Sequence, residues 1–226
     1  MKESLHKQLL SHLMEVHVES VSSEYNNLLH VVLKNGRYQL CTENAVYSYA
    51  DKYDNYRESF NKMKLPDHPD TNILLLGFGM GSIPYMLEKV FMKKYVYTGV
   101  EIDPMIIYLA SKYTLVDLHS EISIIEADAA YFIKQNQEIF DIICIDIFVD
   151  DKIPEYFQTE EFLSKTKEAL TTNGVILFNH LAYTKNDISE AKKYYDAVFK
   201  EVFPDSIMIK VHKNYMMVSN KKAIIV

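Results

Sequence analysis

Along this chain the apolar positions shift between helical and strand spacing, and each shift marks an element. Leu5, Leu9, Leu10, Leu13 and Met14 recur at helical spacing, which predicts a short amphipathic helix packed on its own domain or on a partner subunit. Around Val16 the period drops to two. Val16, Val18 and the run 28–33 read as strands, and Asn35-Gly36 between 31–34 and 37–40 is a type I′ hairpin signal. Residues 15–49 are therefore expected to form a small antiparallel β unit. Tyr53, Tyr56, Phe60 and Met63 restore a helical face over 51–64, which Pro66 and Pro69 end.

Beyond residue 70 the two periods alternate regularly. Strand-like runs at 73–76, 95–100, 121–126, 139–145 and 175–179 are separated by helical segments at 82–94, 105–115, a stretch from Ala129 to about Asn136, and 159–170. A helix at 189–203 and strands at 206–211 and 215–219 follow, with an extension expected at 223–226. The run 139–145 is almost continuously apolar, as in a parallel strand buried on both faces. Such alternation predicts an α/β fold: a doubly wound, mostly parallel seven-stranded sheet preceded by the small antiparallel β unit. The expected division is 1–65 and 66–226. Ligands of such a sheet bind outside the carboxyl ends of the strands, where the strand order reverses.

Composition narrows the function classes. The 226 residues are 48% hydrophobic, enough for a substantial core, and the formal charge is −7. Basic residues cluster only in pairs such as Lys93-Lys94, so a nucleic-acid surface is not expected. Cys41 and Cys144 lack metal or redox spacing and read as buried thiols. A polar N-terminus and the absence of an apolar run near the ~20 residues of a membrane span point to a cytoplasmic protein without a membrane role.

The candidate chemistry gathers at the predicted strand ends. After the strand 73–76 comes Gly77-Phe78-Gly79-Met80-Gly81, holding three of the chain's six glycines. Glycine lets a turn press against a ligand with its N–H groups turned outward. Glu101 ends the next strand 20 residues after Gly81, where a carboxylate accepts from ribose hydroxyls. Asp128 ends the third strand, with two compatible roles: N-cap of the following helix, or acceptor from an exocyclic amine beside the small Ala129. Asp146 ends the central strand next to Asp150 and Asp151, a negative pocket suited to a cation or a nucleophilic amine. The loop reads equally as a solvated acidic turn.

With these residues placed, the chain resembles the class I fold that binds S-adenosylmethionine, over roughly 70–220, and within it the spermidine synthase (aminopropyltransferase) branch. LLLGFGMG, VEID, EADAAYF and FDIICIDIF carry the resemblance, extended by DIFVDDKIPEYFQTEEFL and ALTTNGVILFNH. It implies that Gly77, Gly79 and Gly81 pass the amino-acid end of S-adenosylmethionine or its decarboxylated form. Glu101 would hold ribose, Ile102 would pack on adenine, and Asp128 would meet the adenine amine. The branch also carries a Gln, an Asp-Glu pair, then Tyr and Glu upstream of the nucleotide fold. Here Tyr47, Lys52 and Tyr53 replace the first three, while Tyr56 and Glu58 remain. Where the branch places an Asp three residues after Asp146, this chain has Val149, with Asp150 one step later.

Polyamine ammonium groups taken out of water need paired carboxylates, so these replacements place methyl transfer to a small-molecule acceptor ahead of aminopropyl transfer to a polyamine. Asp146 is the expected catalytic group. Tyr47, Tyr56, Asp150 and His180 are the expected acceptor contacts, although His180 reads first as a packing or rim residue. A dinucleotide fold fits less well, since Ser82 stands where its third glycine would be. No Lys-Ser/Thr pair follows the glycines, which excludes a P-loop, and the scattered histidines give metal catalysis no support. A nucleotide-binding or dimerisation module without an acceptor site is the non-enzyme alternative. The resemblance makes a homodimer a plausible assembly.

Overall fold

The computed structural model describes residues 4–42 and 46–225. Four strands, β1 (Val16–Val21), β2 (Leu29–Lys34), β3 (Arg37–Cys41) and β4 (Val46–Ser48), form an antiparallel sheet in chain order. Asn35 and Gly36 both have positive φ, 50° and 72°, the backbone a type I′ turn requires. The helix before this sheet, α1 (Leu5–Leu10), is anchored by backbone rather than by its apolar side. Ser11, which ends it, takes the Asn35 N–H on its carbonyl and the Gly36 N–H on its hydroxyl. None of its residues is buried, and Leu13 is 86% exposed, so the expected packing on its own domain is not made.

The large sheet has the order β10-β11-β9-β8-β5-β6-β7. Its strands are β5 (Asn72–Leu76), β6 (Val96–Glu101), β7 (Glu121–Glu126), β8 (Phe140–Ile145), β9 (Leu170–Leu181), β10 (Ile207–Val211) and β11 (Asn214–Val218). The first five are parallel, and β11 pairs antiparallel with both β9 and β10. Side-chain alternation gives each face its own core. Ile73, Leu75, Ile142 and Cys144 face one core with Tyr56 and Phe60 of α2 (Asp54–Asn61) and Met86 of α3 (Ser82–Lys89). Leu74, Leu76, Ile143 and Ile145 face the other with Ile133 of α5 (Ala129–Gln135) and Phe162 of α6 (Glu160–Glu168). Both halves of the apolar run in β8 are thereby buried, as its composition predicts. Among the described residues no helix is long and apolar enough to cross a membrane.

Several predicted boundaries move, each for a local reason. The helix expected over 51–64 is a 3-10 turn, Ala50–Lys52, followed by α2, because the Arg37 guanidinium takes both oxygens of Asp51. At Met92, φ of 56° turns the chain, and Lys93 N–H bonds the Leu87 carbonyl, so α3 stops at Lys89 rather than at 94. The strand expected at 175–179 begins at Leu170 and absorbs Asn173-Gly174, with a register shift opposite Phe140 and Ile142. The last long helix starts early, at Lys185 in α7 (Lys185–Tyr194), because Thr184 and Asp187 form a capping box. It continues through a π turn, Tyr195–Phe199, into α8 (Lys200–Val202). The expected extension at 223–226 is a single bridge from Ile224 to Met63 after a 3-10 turn, and Val226 lies outside the described residues.

Asp103 joins the small sheet to the large one. It caps α4 (Pro104–Tyr113) by accepting the Met105 N–H at 2.9 Å, and its other oxygen accepts from Ser23 Oγ and from Asn26 Nδ2 at 2.7 Å. Replacing this buried group removes a cap and strands two donors. Asp103→Ala is expected to lower stability by about 2–4 kcal/mol in denaturant unfolding and to speed amide exchange over residues 22–28. A loss below about 1 kcal/mol would contradict the account.

Candidate active site

The strand order reverses at β5, which pairs with β6 on one side and β8 on the other, so a crevice opens beyond their carboxyl ends. The glycine turn floors it. Gly77, Gly79 and Gly81 have φ of 85°, 56° and 78°. Gly77 is the most constrained, since a Cβ there would lie 2.3 Å from the Asp146 carbonyl oxygen. Phe78 turns inward over Gly99 of β6, and Gly81 opens α3. Ser82, behind the turn, bonds the Ser48 hydroxyl at 2.6 Å and the Tyr49 N–H at 3.0 Å, which locks β4 to the start of α3.

Glu101 reaches back to this turn. Its Oε2 accepts the Gly79 N–H at 2.9 Å, and its Oε1 accepts those of Ile102 and Asp103 at 3.0 and 3.2 Å. Burial raises its pKa, and these backbone donors oppose the rise. A carboxylate offers about four lone-pair directions, so Oε2 keeps capacity for a further donor. Ile102 beside it is 37% exposed, an apolar surface at the crevice edge. Asp128 caps α5, its Oδ1 accepting the Ala130 N–H at 2.6 Å, and Ala129 is buried in the second core. This set fits an adenine nucleoside: a left-handed glycine turn, a strand-end carboxylate with an unused lone pair, and an open apolar side chain.

Asp146 follows β8 and is caged by uncharged donors. Asn179 Nδ2 donates to its Oδ1 at 2.9 Å, and the nearby Tyr53 hydroxyl also favours the ionised form. Asn179 is fixed in turn by Asn214 of β11, whose Nδ2 donates to Asn179 Oδ1 at 2.8 Å. Tyr56 is fully buried behind the site, and its hydroxyl donates to the Ile145 carbonyl at 3.1 Å. Desolvation lifts the Asp146 pKa to about 6, against the lowering effect of Asn179 and Tyr53. Tyr53→Phe removes one donor to the ionised form, so the Asp146 titration midpoint is expected to rise by roughly 1 pH unit in a carboxyl-resolved NMR titration. An unmoved midpoint would show that Tyr53 does not favour the ionised carboxylate.

Of the expected acceptor contacts, Tyr47 and Asp150 meet each other. The Asp150 N–H donates to the Tyr47 hydroxyl at 3.3 Å, from an exposed turn in which Asp150 has φ of 55°. Tyr56 supports the strand end and exposes no surface. His180 is not brought to Asp146: strand alternation turns it to the second core, against Phe178 at 4.4 Å and Tyr194 at 4.8 Å. Burial holds its pKa down at about 3, so it is neutral there. The side chain that hydrogen bonds the Asp146 carboxylate instead is Asn179, with Tyr53 acting on its ionisation. Asn179 was legible as a polar end to an apolar strand beside β8, but Asn214 carried no comparable signal. A cavity of about 560 Å³ lies at the opposite ends of the strands, bordered by Thr71, Asp141 and Thr171, and one of about 500 Å³ lies on the 149–154 turn beside this site.

Residues 53–223 match the profile of a family described as Spermine/spermidine synthase domain. A polyamine aminopropyltransferase of Vibrio vulnificus is 31% identical over 134 residues, which take in 58% of this chain and 44% of that protein. The matched part therefore spans less than half of that relative. A probable spermidine synthase structure from Corynebacterium glutamicum aligns with a TM-score of 0.71 at 16% identity, covering 90% of this chain and 80% of that one. One from Thermotoga maritima aligns at 0.67 with 17% identity, covering 90% and 72%. These structural likenesses establish the fold, a Rossmann-like methyltransferase fold, and the family match places the chain near the spermidine synthase branch.

Proposed function

The chain belongs to the spermine/spermidine synthase domain family, and from that premise we propose that it moves the aminopropyl group of decarboxylated S-adenosylmethionine to an amine. The preference for methyl transfer drawn from the replaced acids gives way, because the curated relative is named as an aminopropyltransferase. The observation that carries the reading is Asp146: a carboxylate with a pKa near 6, held at the switch point against the glycine turn.

When bound, the nucleoside supplies a sulfonium whose neighbouring carbons are electrophilic, so the protein's task is alignment and proton removal. Glu101 accepts from the ribose hydroxyls with the free capacity of Oε2. Gly77 and Gly79 let the backbone approach the chain attached to sulfur. Ile102 covers one face of the base, and the oxygen of Asp128 that does not cap α5 accepts from the base amine. Asp146 holds the acceptor nitrogen and takes its proton as the new bond forms. Asn179, backed by Asn214, and Tyr53 keep that carboxylate aimed.

The test supplies the purified chain with amines and either S-adenosylmethionine or its decarboxylated form. Release of methylthioadenosine from the decarboxylated form, with an amine product heavier by the aminopropyl group, is the expected result. Methyl transfer from the intact form without that release would overturn it.

A further inference from the structure

The direction of one buried amide bears on how Asp146 takes a proton, an inference that rests on the aminopropyl-transfer reading above. Asn179 lies between Asp146 and Asn214. In the antiparallel β9–β11 pairing Asn214 stands opposite Leu181 and Met216 opposite Asn179, so the two asparagines are diagonal neighbours on one face of the sheet. An amide side chain has one donating end and one accepting end. Asn214 Nδ2 donates to Asn179 Oδ1 at 2.8 Å, which leaves the Asn179 NH2 end to face Asp146, where it donates to Oδ1 at 2.9 Å. Donation thus runs one way, from β11 through β9 to the end of β8. Asn179 is 1% exposed and Asn214 8%, so both bonds are made away from bulk water.

The two ends of the amide favour opposite protonation states. Its NH2 end stabilises the ionised carboxylate, whereas its carbonyl end pairs only with the protonated acid. Without the donor from β11, the buried Asn179 carbonyl gains a partner by turning to a protonated Asp146, because an unpaired buried acceptor is costly. The titratable groups around Asp146 leave this control to the amide. Tyr53 at the start of α2, Tyr56 within it and Cys144 of β8 are all pushed up by burial and stay neutral through neutral pH. Glu101 of β6 is engaged by three backbone N–H groups, and His180 of β9 is turned away against Tyr194. Lys52, Asp150 and Asp151 are exposed, where water screens their charge.

We propose that Asn214 is a positioning residue for the transfer: by donating to Asn179 it holds that amide with its NH2 end toward Asp146 and keeps the carboxylate ionised for the proton of the amine. The lone pair of the acceptor nitrogen forms a C–N bond to the aminopropyl carbon next to sulfur. The C–S bond breaks with its electrons left on the sulfur of methylthioadenosine, and the proton from nitrogen passes to Asp146. Asn214 acts on this step through Asn179.

The test uses Asn214→Leu, which keeps the size of the side chain and removes its donor, with Asn214→Met as a second donor-free variant of different shape. In a carboxyl-resolved NMR titration of either variant, the Asp146 midpoint is expected to rise from about 6 by roughly 1 pH unit. The acid limb of the kcat profile should move with it. That shift lowers kcat about 5-fold at pH 6 and little at about pH 8, while calorimetric affinity for the decarboxylated nucleoside stays within about 2-fold. In an Asn179→Ala background, Asn214→Leu is expected to add less than about 0.3 pH unit, since it then has no amide to direct. A midpoint within about 0.3 pH unit of the parent in a folded donor-free variant overturns the positioning role and leaves the aminopropyl reading standing. Failure of the parent chain to release methylthioadenosine from the decarboxylated nucleoside overturns that reading and the role of Asn214 in it, whatever the titration shows.

Discussion

Asp146→Asn is expected to lower aminopropyl transfer by roughly 10²- to 10⁴-fold, the range for removing a positioned general base, while nucleoside affinity stays within about 2-fold. Asparagine preserves the size of the group and its acceptor for Asn179 Nδ2, so the loss isolates proton acceptance from packing. In the unmodified chain the rate is expected to climb as pH rises through about 6, because only the ionised carboxylate accepts a proton. A second consequence concerns stability. The folded-state pKa of Asp146 is raised above the ordinary 3.8, so its contribution is most favourable below about pH 4 and is lost as pH rises through 6. Asparagine escapes that loss. The variant is therefore expected to gain about 1–3 kcal/mol over the parent at pH 7 and nothing at pH 4. Lower activity with higher stability is the joint signature in denaturant titrations at the two pH values, and unchanged turnover would remove Asp146 from the chemistry.

Gly77→Ala is expected to be the most damaging small substitution in the crevice. Its Cβ would fall 2.3 Å from the Asp146 carbonyl oxygen, a backbone atom held by the β5–β8 pairing, at a φ of 85° that alanine disfavours. Strain of the left-handed backbone and displacement of two strand ends together suggest a loss of roughly 3–5 kcal/mol. For a chain of this size that is on the order of 10 °C in Tm. Nucleoside binding is expected to fall with it, since the floor of the crevice moves. Calorimetry showing Tm within about 2 °C of the parent would mean that the strand ends yield easily, contrary to a close-packed switch point. The same substitution at Gly79 separates backbone strain from the clash, because there φ is also positive but a Cβ meets only ordinary contacts, the Tyr47 carbonyl oxygen at 3.5 Å and the Ser48 Cβ at 3.8 Å.

Much of the proposed nucleoside site is local in sequence. Gly77, Gly79, Gly81, Glu101 and Asp128 sit at strand ends that a periodic apolar pattern locates, and the structure places them around one crevice. Element boundaries were less legible where a distant side chain decides them. Arg37 divides the helix expected over 51–64 by holding Asp51, and nothing local to residues 51–64 announces that ion pair. The proposed acceptor side is long-range throughout. Tyr53, Asp146, Asn179 and Asn214 come from four separate stretches of chain and meet only through the β8–β9–β11 pairing and the start of α2.

His180 shows the limit most directly. Its neighbour Asn179 reaches Asp146 and His180 does not, because successive residues of a strand point to opposite faces of the sheet. By itself, the sequence determined the alternation of strands and helices, the hairpin at Asn35-Gly36, and the glycine turn with its strand-end acids. Those features depend on residue period and on backbone conformations that particular residues adopt. Only the tertiary structure decided which donors reach Asp146, how far burial raises its pKa, and which apolar faces find cover, since each depends on neighbours that strand order brings together.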